Sequence, residues 1–169
     1  MNTANWTYKQ WAILFLSIFV VFAGVILVYQ NVSATPPSGV TGTTLVTGDL
    51  PELIQVKFKE VGSGFGDGDD VKQIRIAKFV AAPGGSFGWH QHGGPLWVIV
   101  SSGTLSYIDG TNCQLTLYPA GSVLFDSGNK THSARNEGNE PIELYIVYML
   151  PEGGLPRIDV PDPGVCSSP

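Results

Sequence analysis

From residue 43 to residue 150 the chain is cut into short apolar stretches by glycine, proline and polar turn residues, and none of them carries a helical period. Leu53 to Glu60 alternates, with Ile54, Val56 and Phe58 on one face and Gln55, Lys57 and Lys59 on the other, the pattern of a half-buried strand. Thr43 to Thr47 is a candidate for an earlier strand. Val71 to Ala82 reads as the next, with Ile74 and Ile76 on one face and room for a bulge near Ala77. Leu96 to Val100 is apolar on both faces, as a central strand should be, and Thr104 to Ile108 follows across Ser101-Ser102-Gly103 at hairpin spacing. Gln114 to Tyr118, Ser122 to Phe125 and Thr131 to Arg135 are short strands. Pro141 to Leu150 is a long one with Ile142, Leu144, Ile146 and Tyr148 on one side. Many short strands at regular spacing predict an all-β antiparallel sandwich or barrel. Asp67, Asp69 and Asp70 lie in a glycine-rich turn without the spacing of a calcium loop, and read as solvated.

The N-terminus differs. Trp11 to Tyr29 contains no charged side chain, and at about 1.5 Å per residue a helix of this length crosses a hydrocarbon core of about 30 Å. Trp6, Tyr8, Trp11 and Tyr29 fit interfacial belts, and Lys9 is the only positive charge before Lys57. The expected order is a cytoplasmic stub and transmembrane or signal-anchor helix (1–30), a Thr/Ser/Gly/Pro-rich stalk (31–48), the barrel (49–150) and an extended surface tail (151–169). Small residues at Val32-Ser33-Ala34 also suit cleavage after Ala34. Anchored or cleaved, the domain is exported: single-pass with the domain outside the cytoplasm, or secreted.

Export sets the reading of the two cysteines. An oxidising compartment favours pairing of Cys113 with Cys166, which staples the tail to the barrel. A formal net charge of −5, with no basic run or stripe, argues against a nucleic-acid partner.

Only three histidines occur. His90 and His92 are one residue apart in a glycine-rich stretch, so an extended backbone points both the same way. His132 lies in a second glycine-punctuated stretch. Neutral imidazoles packed together face their acceptor nitrogens at one another, and a divalent cation relieves that cost by taking the lone pairs. The competing arrangement spreads the three along a pocket rim, bonded to backbone or water.

These residues resemble the cupin superfamily, whose fold is a double-stranded β-helix, a small jelly-roll barrel. Its first motif, G-x5-H-x-H-x3,4-E-x6-G, is met by Gly84, His90, His92 and Gly103. Its second, G-x5-P-x-G-x2-H-x3-N, is met by Pro119, Gly121, His132 and Asn136. Leu96, or Trp97 with the longer spacer, stands where the family places a glutamate. The Gly121–His132 gap is longer than the motif's, and the leading glycine is absent. The resemblance covers residues 71–150 and implies that His90, His92 and His132 converge in the barrel mouth on one divalent transition metal: Fe, Zn, Cu, Ni or Mn. Three neutral ligands leave the metal's charge uncompensated, which favours a small anionic ligand.

Phe87, Trp89, Trp97, Tyr107 and Phe125 are the candidate pocket residues. Ordinary barrel core is the competing role, favoured for Phe125 and one of the two tryptophans. Tyr107 or Tyr145 could donate a proton or hydrogen bond. The expected function is a metalloenzyme, dioxygenase-like or otherwise metal-assisted, acting on a small anionic molecule. The alternatives are a non-catalytic ligand- or metal-binding module of the cell envelope and a metal-free interaction domain. An open coordination position beside a cavity marks the enzyme; a fourth protein ligand marks a structural site.

Overall fold

The computed structural model describes residues 34–57 and 69–166. The expected membrane or signal helix (1–30) and Asp67 lie outside the described residues, as do residues 31–33 and 58–60. Among the described residues no helix is long and apolar enough to cross a membrane. Among the described residues nine strands run in order: β1 (Ser38–Val56), β2 (Asp69–Gln91), β3 (Leu96–Ser102), β4 (Thr104–Asp109), β5 (Leu115–Pro119), β6 (Val123–Asp126), β7 (His132–Arg135), β8 (Ile142–Leu150) and β9 (Ile158–Asp159). They follow the order β5-β4-β7-β2-β8-β3-β6, with β1 and β9 both on β2, and all pairs are antiparallel.

The second strand organises the rest. Residues 73–81 pair with β8, whereas residues 86–90 pair with β7. Pro83-Gly84-Gly85 lies between the two paired stretches, so one 23-residue strand serves both parts of the barrel. Its interior face carries Arg75, Ala77 and Phe79, which line a cavity, while Ile74 and Ile76 point the other way and are half-buried. The small side chain of Ala77 helps leave that cavity open. From β8, Ile142, Leu144, Ile146 and Tyr148 all enter the core, as their alternation predicts.

Five expectations are corrected. Residues 38–48 are not a stalk: the stretch is rich in Thr and Val, which favour extended backbone, and pairs with β2 from Val40↔Ala81 to Asp49↔Gln73. The bulge expected near Ala77 lies opposite it, between Thr44 and Val46. The far end of β1 is not half-buried, since Leu53 and Ile54 are 55% and 46% exposed; among the described residues its only strand partner is β2.

Nor do β3 and β4 form a hairpin. The former lies between β8 and β6, the latter between β5 and β7. The chain changes partners at Gly103, whose φ is 75° and where a Cβ would stand 2.4 Å from Cγ2 of Ile142. Finally, the tail is not simply laid on the surface. Its strand β9 pairs with His90 and Gln91, and Cys166 is buried and, as expected, bonded to Cys113 with Cα atoms 5.3 Å apart.

Candidate metal centre

His90 lies directly opposite His132 across the β2–β7 pair. His92 follows two residues on, and its backbone N–H donates to the Gly128 carbonyl at 2.7 Å. The ring centroids of His90 and His132 are 4.2 Å apart, those of His90 and His92 4.9 Å, and those of His92 and His132 5.1 Å. One ligand atom from each lies within 4.8 Å of the others, and all three side chains are buried. The long Gly121–His132 gap is filled by β6 and the turn after it, and that turn is what bonds to His92.

Each ring has its Nδ1 against an oxygen. Nδ1 of His90 lies 2.9 Å from the Gly88 carbonyl, that of His92 2.6 Å from the Pro156 carbonyl, and that of His132 3.0 Å from the Lys130 carbonyl and 3.2 Å from Asp126 Oδ2. Oxygens of this kind only accept, so Nδ1 carries the proton and Nε2 is left as the lone-pair nitrogen. Outer partners that fix tautomer and ring orientation in this way accompany metal-ligating histidines. The residues present therefore fit a divalent metal bound through three Nε2 atoms.

The electrostatics agree. Burial, then the charge of His132 and of His92, depresses His90 far below its usual 6.5. Burial, then His132, lowers His92 to about 4. His132 is also lowered, because burial outweighs the opposing pull of Asp126. Its contact with Asp126 is thus a neutral N–H donating to a carboxylate rather than an ion pair. Neutral imidazoles are the form that ligates.

Asp126 was not anticipated. It sits in an Asp-Ser-Gly-Asn run that reads as a turn, and its Oδ1 does accept from the Gly128 N–H at 2.6 Å. The other oxygen also faces the Tyr107 hydroxyl at 3.3 Å. Burial first, then Asp126, raises the Tyr107 phenol, so it stays protonated and donates. The Tyr107 ring stacks on His132 with centroids 5.0 Å apart.

The histidines face a cavity of about 120 Å³, lined also by Phe87, Tyr107, Leu144, Ile146 and Tyr148. Phe87 and Tyr107 are thus pocket residues as expected. Trp89, Trp97 and Phe125 are not. Trp89 is buried away from the cavity with Ile108 and Cys166. Along β3, Leu96 and Val98 face inward, so Trp97 between them faces out, where its ring lies 5.9 Å from that of Phe125. Phe125 borders a separate polar groove with Asp109, Asp126 and Lys130. Tyr145 also faces away from the centre, with the Lys78 ammonium 5.8 Å from its ring.

Leu96, at the family's glutamate position, is fully buried opposite Tyr148 and supplies no ligand. Sequence reasoning also missed Arg75, Tyr148 and, in the tail, Pro156 and Arg157, all of which line the cavity. Alternation along β2 and β8 could have placed the first two. Nothing in the tail's composition signals the others.

Fold and site together define a class: a jelly-roll barrel with a buried three-histidine centre opening on an interior cavity. Residues 77–148 match the family model described as the cupin domain, which supports membership of the cupin superfamily. The polyketide cyclase RemF from Streptomyces resistomycificus shares the fold, at 17% identity over 82% of each chain with a TM-score of 0.51. A cupin-like protein from Thermotoga maritima is 20% identical over 53% of this chain and 65% of its own, with a TM-score of 0.48. A structure of DMSP lyases is 22% identical over 45% of this chain and 38% of its own, with a TM-score of 0.41. The chain thus spans less than two thirds of the length of either of these last two. No curated protein sequence matches it.

Proposed function

We propose that the chain is a metal-dependent enzyme acting on a small anionic molecule outside the cytoplasm, held to a membrane by its N-terminal segment. The observation that carries the catalytic reading is the open side of the histidine centre. Among the described residues the ligand group comprises three side chains and no fourth, and it borders a cavity of about 120 Å³. A bound divalent transition metal (Fe, Zn, Cu, Ni or Mn) supplies Lewis acidity and, where redox-active, dioxygenase-like chemistry.

The chain's own groups do the rest. Carbonyls of Gly88, Pro156 and Lys130 hold the three rings in the ligating tautomer. The largely apolar walls from β2, β3 and β8 lower the local dielectric, which strengthens electrostatic contacts inside. Tyr107 and Tyr148 both line the cavity. Burial raises the Tyr148 phenol as it does that of Tyr107, so both stay protonated and available as hydrogen-bond donors.

The extracytoplasmic reading is supported by the Cys113–Cys166 bond, which suits an oxidising compartment, and by the uncharged run Trp11–Tyr29. The fold shared with a polyketide cyclase is compatible with catalysis but does not select the reaction.

The test is elemental analysis of the full-length chain purified in detergent, followed by assays of metal-loaded protein for consumption of small organic anions and of dioxygen. About one equivalent of a transition metal per chain is expected, lost in a His90→Ala/His132→Ala variant. Metal retained by that double variant overturns the assignment.

A further inference from the structure

The cavity beside the histidines holds two arginines and no carboxylate among the residues that line it. Arg75 lies on the interior face of β2 directly opposite Tyr148, whose ring centroid is 5.8 Å from that of His92. Its Nη2 donates to Gln73 Oε1 at 3.0 Å, but its Nε is buried with no acceptor. A buried guanidinium N–H without a partner is costly, and an incoming oxygen would relieve that cost.

Arg157 reaches the same cavity from the tail. It follows Pro156, the residue whose carbonyl accepts from His92. Its Nε donates to Asp159 and its Nη2 to the Phe87 carbonyl, which fixes the guanidinium and leaves Nη1 free of those bonds. Because Asp159 offsets the charge of Arg157, the pair of arginines presents a net charge near +1. In the metal-free protein that suits a monoanion better than a dianionic phosphate. Most of the remaining wall is hydrocarbon, including Phe79, Phe87, Leu144 and Ile146.

We infer that the cavity takes a small amphipathic monocarboxylic acid, its carboxylate held by Arg75 and Arg157 and its hydrocarbon body against Phe79, Phe87, Leu144 and Ile146. Planar guanidinium forks match a carboxylate in shape as well as charge. The assignment names the substrate class of the proposed enzyme and rests on that reading for its purpose, whereas the binding itself needs only the arginines and the apolar wall.

The test is calorimetric titration of the full-length chain in detergent with hexanoate, 1-hexanol, hexylamine and hexyl phosphate, with micelles alone as the blank. Each is run on protein as purified and after metal removal. Hexanoate should bind at least tenfold more tightly than the alcohol and the amine. An Arg75→Met/Arg157→Met variant should lose at least tenfold in hexanoate affinity while remaining folded. Equal affinity for hexanoate and hexanol overturns the inference, as does unchanged hexanoate binding in the variant. Tighter binding of hexyl phosphate also overturns it. Should the variant fail to fold, the comparison among the four probes on the unmodified chain still decides. Hexanoate bound by protein that takes up no metal would remove the metal reading and leave this one standing; metal-replete protein that ignores hexanoate would do the reverse.

Discussion

Asp126 Oδ2 lies 3.2 Å from Nδ1 of His132, while the other oxygen of the same carboxylate caps the Gly128 N–H. The Gly128 carbonyl in turn accepts from the backbone N–H of His92. A single buried turn between β6 and β7 therefore orients one ring and positions the strand end that bears another. The geometry of the centre is set as much by this turn as by the strands.

Replacing Asp126 with Asn should lower metal affinity by about 10–100-fold with the fold intact. An amide can still offer its oxygen to the Gly128 N–H, but its NH₂ would then face Nδ1–H of His132, donor against donor. Competition against a chelator of known affinity measures the loss. Affinity within twofold of the unmodified chain would mean that the Lys130 carbonyl alone suffices to hold the ring.

The disulfide has a comparable reach. Cys113 and Cys166 are separated by 53 residues, and the tail between β8 and Cys166 supplies Pro156 to His92 and Arg157 to the cavity. A Cys113→Ser/Cys166→Ser variant should lose about 4 kcal/mol of stability in the chain-entropy model, read from denaturant midpoints. It should also bind metal more weakly, since the Pro156 contact then relies on hydrogen bonds alone, among them those of Leu155, Arg157 and β9. A stability loss with unchanged metal affinity would show that the staple serves the fold and not the centre.

Much of the barrel was legible because its inward faces alternate cleanly, as at Ile142, Leu144, Ile146 and Tyr148. The three histidines were legible because their spacing matches strand geometry and a known pair of motifs. What sequence could not show was pairing between distant segments. The β3–β4 connection has hairpin spacing, yet Gly103 sends the two strands to different partners, a choice made by packing against Ile142. Aromatic residues close to the histidines in sequence were the natural pocket candidates, but alternation places Trp97 outside, and Trp89 packs with the disulfide rather than the cavity. Arg157 and Pro156 reach the site through tertiary contacts that no local pattern encodes.

Gly88 offers a local test of how the first histidine is held. Its φ is 65°, its carbonyl accepts from His90, and a Cβ there would stand 1.9 Å from the Thr35 carbonyl oxygen. Gly88→Ala should cost at least about 2 kcal/mol and weaken metal binding, since the β2 backbone must shift. Gly84→Ala is the control: its φ is 73° but nothing lies within 4 Å of the added methyl, so only the strained backbone, on the order of 1–2 kcal/mol, should be lost. Equal effects at the two glycines, in stability and in metal content, would refute the contact argument.

Acid should unfold the metal-free protein earlier than a barrel without this centre. All three histidines have folded values below their ordinary 6.5, with burial the largest cause in each, and His92 comes down to about 4. In the unfolded chain they take up protons near 6.5, so below that pH the unfolded state binds more protons than the native one. Stability is then full above about pH 6.5 and falls as the pH drops towards 4. The slope is up to about 1.4 kcal/mol per pH unit for each histidine that stays neutral in the fold. Bound metal competes with the same protons, so its affinity should fall over the same window. Denaturant midpoints of chelator-treated protein at pH 7.5, 6.0 and 5.0 measure the effect, with His92→Gln expected to flatten the slope by one histidine's share. A midpoint constant from pH 7.5 to 5.0 would show that the imidazoles exchange protons freely in the native state, and that the buried neutral triad does not exist.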